Sequence, residues 1–373
     1  MLELRLAVVI TVACLVAEVA FAAEGRDRDP RERQNQNWRR DALENMRVAA
    51  APHLIAESEM SLYRGAGFNT MSVFDVEGTN DSGTAWKFKS EEQVRTETAF
   101  ARDHGLPLIL GMAVEPYTPA ITKNPHEFAA MGVVANGSIP PATDDAIRER
   151  IALWKQYGDD VLVGVFPWYD DVFWQTVDVD RQRHVYRLIK DIAPDWYVFG
   201  MIGEFGFNAT DEDVARYYDP NAFDHLIVLM YPFNVGADLT GFPLDNIASS
   251  DPDGDLTRYV DRFVARMNER FFSHLNRRQL ILLVVQSFYY TGEPAGHIPR
   301  AMDVEIMINR GNGRIRELAG QGGNHSAAFF SWGEKGSEPN GMTQRPEWRG
   351  AAHNVNDQLA QDSARGFRRG IVP

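Results

Sequence analysis

The chain of 373 residues contains a single cysteine, Cys14. This residue lies inside an apolar run, Leu6–Val16, that follows an arginine and precedes the small residues Ala20 and Ala22. The arrangement is typical of a secretory signal and predicts cleavage after Ala22. A mature chain without cysteine has no disulfide and no thiol nucleophile, so its stability must come from packing of the core.

A second role for Cys14 stays open. Val12 and Ala13 precede it as small residues precede the lipid-modified cysteine of a lipoprotein signal, although Thr11 fits that pattern poorly. No later segment reaches roughly 18 uninterrupted apolar residues, so we expect no membrane-spanning segment after signal cleavage. We therefore predict a secreted or periplasmic protein, with a lipid anchor as the alternative.

The chain also lacks an excess of positive charge, since its formal net charge is −14. An acidic surface argues against nucleic acid as a partner. The sequence has no glycine-rich nucleotide fingerprint, no P-loop and no G-x-S-x-G elbow. Its nine histidines are scattered without metal-ligand spacing. We therefore expect no cofactor and no metal.

Short apolar runs alternate with amphipathic segments along most of the chain. The predicted strands are the apolar runs Met46–Ile55, Phe68–Phe74, Leu106–Ala113, Val161–Phe166, Trp196–Ile202, His225–Tyr231, Gln279–Phe288 and Ser326–Trp332. The predicted helices between them are Ala56–Ala66, Ser90–His104, Asp144–Tyr157, Asp178–Ile192, Asp211–Tyr218, Leu256–Leu275 and Arg300–Ala319. The apolar runs are continuous, as in strands buried on both faces.

This pattern predicts an α/β fold, a single-domain (β/α)8 TIM barrel. The alternative is an open doubly wound sheet, which usually carries a glycine-rich first turn that is missing here. We divide the chain into a signal peptide (1–22), an exposed charged lead-in (23–42), the barrel (43–353) and a C-terminal tail (354–373).

The connections that leave the strands are long in three places: Glu115–Thr143, Pro232–Asp255 and Gly333–Arg349. Connections that lead into the next strand are short. Barrel enzymes place their active sites on the loops after the C-terminal strand ends. The candidate site is therefore predicted at that rim.

Three carboxylates at the ends of predicted strands 4 and 5 are the candidate catalytic residues: Asp170, Asp171 and Glu204. Two adjacent carboxyl groups push each other's pKa apart, so that one stays protonated near neutral pH. Neighbours in a strand point to opposite faces, and the choice between Asp170 and Asp171 stays open. Structural roles are the alternative, with Asp171 as a helix cap and Glu204 paired with an arginine.

Further polar and aromatic residues at strand ends are candidates for substrate binding: Asp75, Glu115, Trp168, Tyr169, Tyr231, Gln286 and Trp332. Aromatic faces stack on sugar rings, while carboxylates and amides bond to hydroxyls. Gln286 ends a buried run, so its amide needs a hydrogen-bond partner. Structural roles stay open for three of these residues. Asp75 could accept hydrogen bonds from loop amides, and Tyr231 and Trp332 could pack in the core.

The chain resembles bacterial glycoside-hydrolase-like TIM barrels. The segments that carry the resemblance are Gly67–Asp75, Val165–Asp171, Met230–Pro232 and Ser331–Gly333. The resemblance covers most of the chain and implies an enzyme that cleaves glycosidic bonds of a polysaccharide or oligosaccharide. No specific family is assigned.

Two departures from known patterns matter. The large clan with two catalytic glutamates has Asn-Glu at strand 4 and Glu at strand 7, where this chain has Asp170-Asp171 and Gln286. Chitinase-like barrels share residues that resemble Tyr231 and Trp332, but their D-x-x-D-x-D-x-E motif is absent. We therefore predict an exported glycosidase. One alternative is a barrel that binds glycans without cleaving them. The other is a metal-assisted hydrolase, which the scattered positions of the histidines disfavour.

Overall fold

The eight predicted strands form a parallel, nearly closed barrel. The computed structural model describes residues 38–50, 55–77, 87–112, 114, 143–168, 171–173, 176–207, 209–233, 252–287, 298–319, 327–330, 332 and 341–369. The barrel strands β1 to β8 are Arg47–Ala50, Met71–Phe74, Leu108–Gly111, Leu162–Phe166, Tyr197–Ile202, His225–Met230, Ile281–Gln286 and Ala327–Phe330. A two-stranded antiparallel ribbon, Val76–Glu77 with Lys87–Phe88, follows β2.

The order of the strands confirms the TIM barrel and excludes the open sheet. From β2 to β8 each strand pairs with the next, and β8 pairs with β1. The backbone N–H groups of Asn69 and Thr70 both donate to the carbonyl of Arg47, at 3.0 and 3.2 Å. These two bonds join the start of β2 to β1, so that the sheet returns on itself.

Helices cover the outside of the barrel, as predicted. Their bounds are Met60–Gly65, Glu91–Asp103, Asp144–Gly158, Val179–Ile192, Glu204–Phe207, Asp211–Tyr217, Pro252–Arg270, Ala301–Ala319 and Pro346–Arg369. The predicted start signals at Thr143 and Thr210 are confirmed, because each side chain accepts a backbone N–H of the first turn. No described helix is long and apolar enough to cross a membrane.

Both ends of the barrel differ from the predicted boundaries. Residues 38–44 are helical, and Arg39 is fully buried, donating to the carbonyl of Leu162 at 2.9 Å. At the other end, Ala351, Val355 and Leu359 recur every four residues and are buried. This spacing places them on one helix face, so the helix Pro346–Arg369 packs on the barrel through residues assigned to the tail.

Apolar side chains form two layers, one inside the barrel and one between strands and helices. Inside are Val48, Phe74, Ile109, Val163, Phe166, Phe199, Met201, Ile227, Leu229, Leu282, Val284 and Ala328. The rings of Phe74 and Phe166 meet edge to face at 5.4 Å across Gly111. A Cβ at Gly111 would lie 2.5 Å from one ring and 2.7 Å from the other. Glycine is therefore required where these two rings fill the lumen.

Candidate active site

The predicted site residues at the C-terminal rim separate into two groups. Glu115, Tyr169 and Asp170 lie outside the described residues, and for Glu204 the backbone is described but the side chain is not. The structure therefore places Asp75, Trp168, Asp171, Tyr231, Gln286 and Trp332.

Asp75 faces the helix layer and not the lumen. Phe74 points into the lumen, so the next side chain points outward. The carboxylate, with no solvent exposure, accepts two hydrogen bonds from Arg150, one of them 2.8 Å from Nε, and one from the indole Nε1 of Trp154 at 2.7 Å. Burial raises the pKa of Asp75, and the bonds from Arg150 and Trp154 oppose that rise by favouring the carboxylate.

These contacts correct the expectation that Asp75 binds substrate. Its three donors come from one face of the helix Asp144–Gly158, since Arg150 and Trp154 are four residues apart. The guanidinium of Arg150 also lies over the ring of Phe88, 5.3 Å from its centroid. Asp75 thus anchors this helix and the ribbon to the end of β2. The spacing of Arg150 and Trp154 was visible in the sequence, but their partner was not.

Asp171 is buried and holds two backbone amides. Its Oδ1 accepts the N–H of Phe173 at 2.9 Å, and its Oδ2 accepts the N–H of Gly203 at 2.7 Å. The neighbouring N–H of Val172 donates to the carbonyl of Met201 at 3.1 Å. The carboxylate therefore joins the loop after β4 to the end of β5. Its side chain is 1% exposed, which does not fit a carboxylate open to substrate.

Gln286 has the partner that its burial demands. It lies at the end of β7, fully buried, and its Oε1 accepts the N–H of Phe233 at 2.8 Å. Phe233 follows β6, so this bond ties the ends of two adjacent strands together. The predicted need for a hydrogen bond at this position is confirmed. Sequence reasoning did not identify the backbone of Phe233 as the partner.

Tyr231 lies at the rim and is partly exposed. It follows β6 and packs against the apolar lumen residues. Phe74, Met201 and Leu229 belong to that lumen cluster and are 6–7% exposed. A partly exposed aromatic side chain at the rim suits the face of a sugar ring.

Trp332 and Trp168 do not present open stacking surfaces. Trp332 is fully buried between strands and helices, its ring 4.9 Å from that of Tyr63 at 81°, and its Nε1 donates to Glu59 at 3.3 Å. Trp168 is 3% exposed and belongs to the same apolar cluster. Both tryptophans therefore serve the core, which corrects their assignment to substrate binding.

A cavity of about 490 Å³ opens at the opposite, N-terminal end of the barrel. Arg40, Lys190, Asp224 and His225 are among its lining residues. Lys190 pairs with Asp224 at 2.6 Å, so these two wall charges compensate each other. Barrel enzymes do not place their chemistry at this end, and the C-terminal rim remains the candidate site. Within the described part of the chain, no group of three or more His, Cys, Asp or Glu side chains is arranged to hold a metal.

The chain resembles known proteins in structure but not in sequence. No family model and no curated protein matches the sequence. Among solved structures, an exo-beta-1,4-mannosidase from Opitutaceae bacterium strain TAV5 has a TM-score of 0.51 at 12% identity, over 86% of this chain and 60% of that chain. A beta-galactosidase from the haloarchaeon Halorubrum lacusprofundi has a TM-score of 0.52 at 12% identity, over 84% of this chain and 58% of that chain.

A glycoside hydrolase family 5 mannosidase from Rhizomucor miehei has a TM-score of 0.50 at 12% identity, over 81% of this chain and 88% of that chain. The chain spans about three fifths of the length of the first two proteins and most of the third. At such low identity the likeness is one of fold. The chain is a (β/α)8 barrel that resembles glycoside hydrolase barrels.

Proposed function

We propose that this protein is a glycosidase that cleaves a polysaccharide or oligosaccharide with Asp170 and Glu204 as its two carboxyl groups. One carboxyl would protonate the leaving oxygen, and the other would act as nucleophile or as the base that activates water. The observation that carries the proposal is the tie between β4 and β5: Asp171, the next residue after Asp170, accepts the N–H of Gly203, the residue directly before Glu204. The glycoside hydrolase neighbours support it.

Asp170 is preferred over Asp171 as the carboxyl from β4. Both oxygens of Asp171 accept backbone amides in a site closed to solvent. Any of the proposed roles would require breaking these bonds, because the carboxyl that protonates the leaving oxygen, attacks the anomeric carbon or activates water needs an oxygen free to reach the reacting group. Tyr231, with Glu115 and Tyr169, is proposed to contact the sugar.

The test is turnover on a panel of β-mannans, β-galactosides, β-glucans and chitin oligosaccharides, measured as release of reducing ends. Asp170→Asn and Glu204→Gln should each lower kcat about 10²- to 10⁴-fold, the usual contribution of an acid or base. Asp180→Asn, an exposed carboxylate in the first turn of the helix Val179–Ile192, is the control and should be neutral. Unchanged turnover in both rim variants would refute the assignment.

A barrel that binds glycans without cleaving them is the second candidate. It is favoured by Gln286, a buried amide held by the N–H of Phe233 at the end of β7, where the two-glutamate clan has its nucleophile. Calorimetric binding of panel sugars without release of reducing ends would select this candidate over the glycosidase.

Export is proposed from the predicted signal. The mature protein recovered from the medium or the periplasm should begin at Ala23, and N-terminal sequencing checks this. A lipid-modified N-terminal Cys14, detected by mass spectrometry of a membrane fraction, would select the lipoprotein alternative.

A further inference from the structure

The residue that precedes Glu204, Gly203, is held by a buried carboxylate from the neighbouring strand end. Gly203 N–H donates to Asp171 Oδ2 at 2.7 Å, and Gly203 O accepts the N–H of Phe207 at 3.3 Å. The second of these bonds closes the short helix Glu204–Phe207. Both hydrogen-bonding groups of Gly203 are therefore engaged directly before Glu204, and Asp171 supplies one of the partners.

The space around Gly203 leaves this peptide little freedom. A Cβ on Gly203 would lie 3.2 Å from Oδ2 of Asp171 and 3.2 Å from Cβ of Leu229. A side chain at this position would press on the carboxylate and on β6 together. The absence of a side chain thus allows the close approach of the carboxylate to the backbone.

We infer that Asp171 is a positioning residue that sets the place of Glu204 through the backbone of Gly203. The inference rests on the proposed glycosidase function and assigns Asp171 no proton transfer. A displacement of about 1 Å at a reacting group can cost on the order of 10² in rate, so loss of this anchor should reduce catalysis without removing any reacting group.

Asp171→Asn is the most informative variant because it keeps the shape of the side chain. A carboxylate accepts with both oxygens, whereas an amide has one oxygen and one NH2 group. In the variant, an NH2 group must face the N–H of either Phe173 or Gly203, and that contact is repulsive. Gly203→Ala disturbs the same contact from the other side.

Each variant is assayed on a panel substrate that the wild type cleaves. We expect Asp171→Asn and Gly203→Ala each to lower kcat about 10- to 100-fold per folded molecule, with KM changed less than about threefold. Both limbs of the pH profile should persist, since neither variant removes a group that exchanges a proton. The double variant should lose less than the product of the single losses, because both act on one contact. Asp178→Asn, at a helix cap that accepts one backbone N–H, is the control and should be neutral.

The outcomes separate the two proposals. Absence of wild-type turnover on the whole panel overturns the glycosidase and this inference together. Wild-type turnover with kcat unchanged in Asp171→Asn overturns the inference alone. Loss of one limb of the pH profile in Asp171→Asn also overturns it, because Asp171 would then transfer a proton itself. A kcat loss equal to the unfolded fraction, measured by urea titration, overturns it as well.

Discussion

Burial of His225 favours its neutral form in the folded barrel, which predicts a specific loss of stability in acid. The side chain is 3% exposed at the start of β6, and its Nδ1 accepts the N–H of Leu280 at 3.0 Å. The proton of the neutral ring therefore sits on Nε2. Burial, followed by the nearby charges of Arg40 and Lys190, lowers the pKa of His225 from 6.5 to about 3. The adjacent carboxylate of Asp224 pairs with Lys190 at 2.6 Å.

The sign and size of the effect follow from proton linkage. The unfolded chain binds a proton on this ring near pH 6.5, whereas the folded chain does so only near pH 3. The stability that neutral His225 contributes is thus complete above pH 6.5 and is lost as the pH falls from 6.5 towards 3. Between pH 7 and pH 4.5 the loss amounts to about 2.5 kcal/mol at 25 °C.

The assay compares urea unfolding of the wild type and His225→Asn at pH 7 and pH 4.5. Asparagine cannot take up this proton, and its Oδ1 can accept the N–H of Leu280 in place of Nδ1. We expect the wild type to lose about 2.5 kcal/mol more than the variant between the two pH values. Carboxylates titrate equally in both proteins and cancel in the difference.

The control is His274→Asn, which removes an exposed imidazole and should leave the pH dependence of the wild type unchanged. The reasoning is refuted if the wild type and His225→Asn lose the same stability, to within about 0.5 kcal/mol, between pH 7 and pH 4.5.

Three further variants test the structural assignments by urea unfolding. Asp75→Asn should lower the free energy of unfolding by about 3–5 kcal/mol because it leaves the buried charge of Arg150 unpaired. The same substitution should cost less in an Arg150→Met background, and an equal cost in both backgrounds would contradict the ion pair. Gly111→Ala should lower the free energy of unfolding by about 1–3 kcal/mol because the added methyl group overpacks the two lumen rings. Adding Phe166→Leu should relieve part of that loss, and no relief would contradict a clash with these rings. Trp332→Ala should lower the free energy of unfolding by about 3–5 kcal/mol because it truncates a core side chain. KM for any cleaved sugar should be unchanged. A raised KM in folded protein would instead support a role of Trp332 in stacking on the sugar.

The barrel and its helix starts were predictable because the signals are local. Apolar runs of strand length, separated by amphipathic segments, define strands buried on both faces. Thr143 and Thr210 sit directly before acidic first turns, and each caps the helix predicted there. Gln286 is a similar case, since a buried amide implies a partner before the partner is known.

The direction of the strand-end side chains was not predictable in the same way. In β4, Val163 and Phe166 both point into the lumen although they are three residues apart, because the pairing with β3 skips Val163, between Leu162 and Gly164. A Cβ at Gly164 would lie 2.2 Å from the carbonyl of Tyr197, so β4 and β5 approach closely at this irregularity. The rule that alternate residues of a strand face the same side therefore fails before the chain reaches Asp171.

By itself, the sequence determined a barrel with eight strands and a chain without structural disulfides, and it predicted the rim at which a site is to be sought. Only the tertiary structure decided which partners the described residues at the strand ends have. Asp75 meets Arg150, Asp171 meets Gly203, and Trp332 meets Tyr63, each pair joined across elements distant in the chain. Local sequence patterns indicate which residues are apolar and where helices and strands begin. The role of a buried carboxylate depends instead on its hydrogen-bond donors, which only the folded barrel brings within reach.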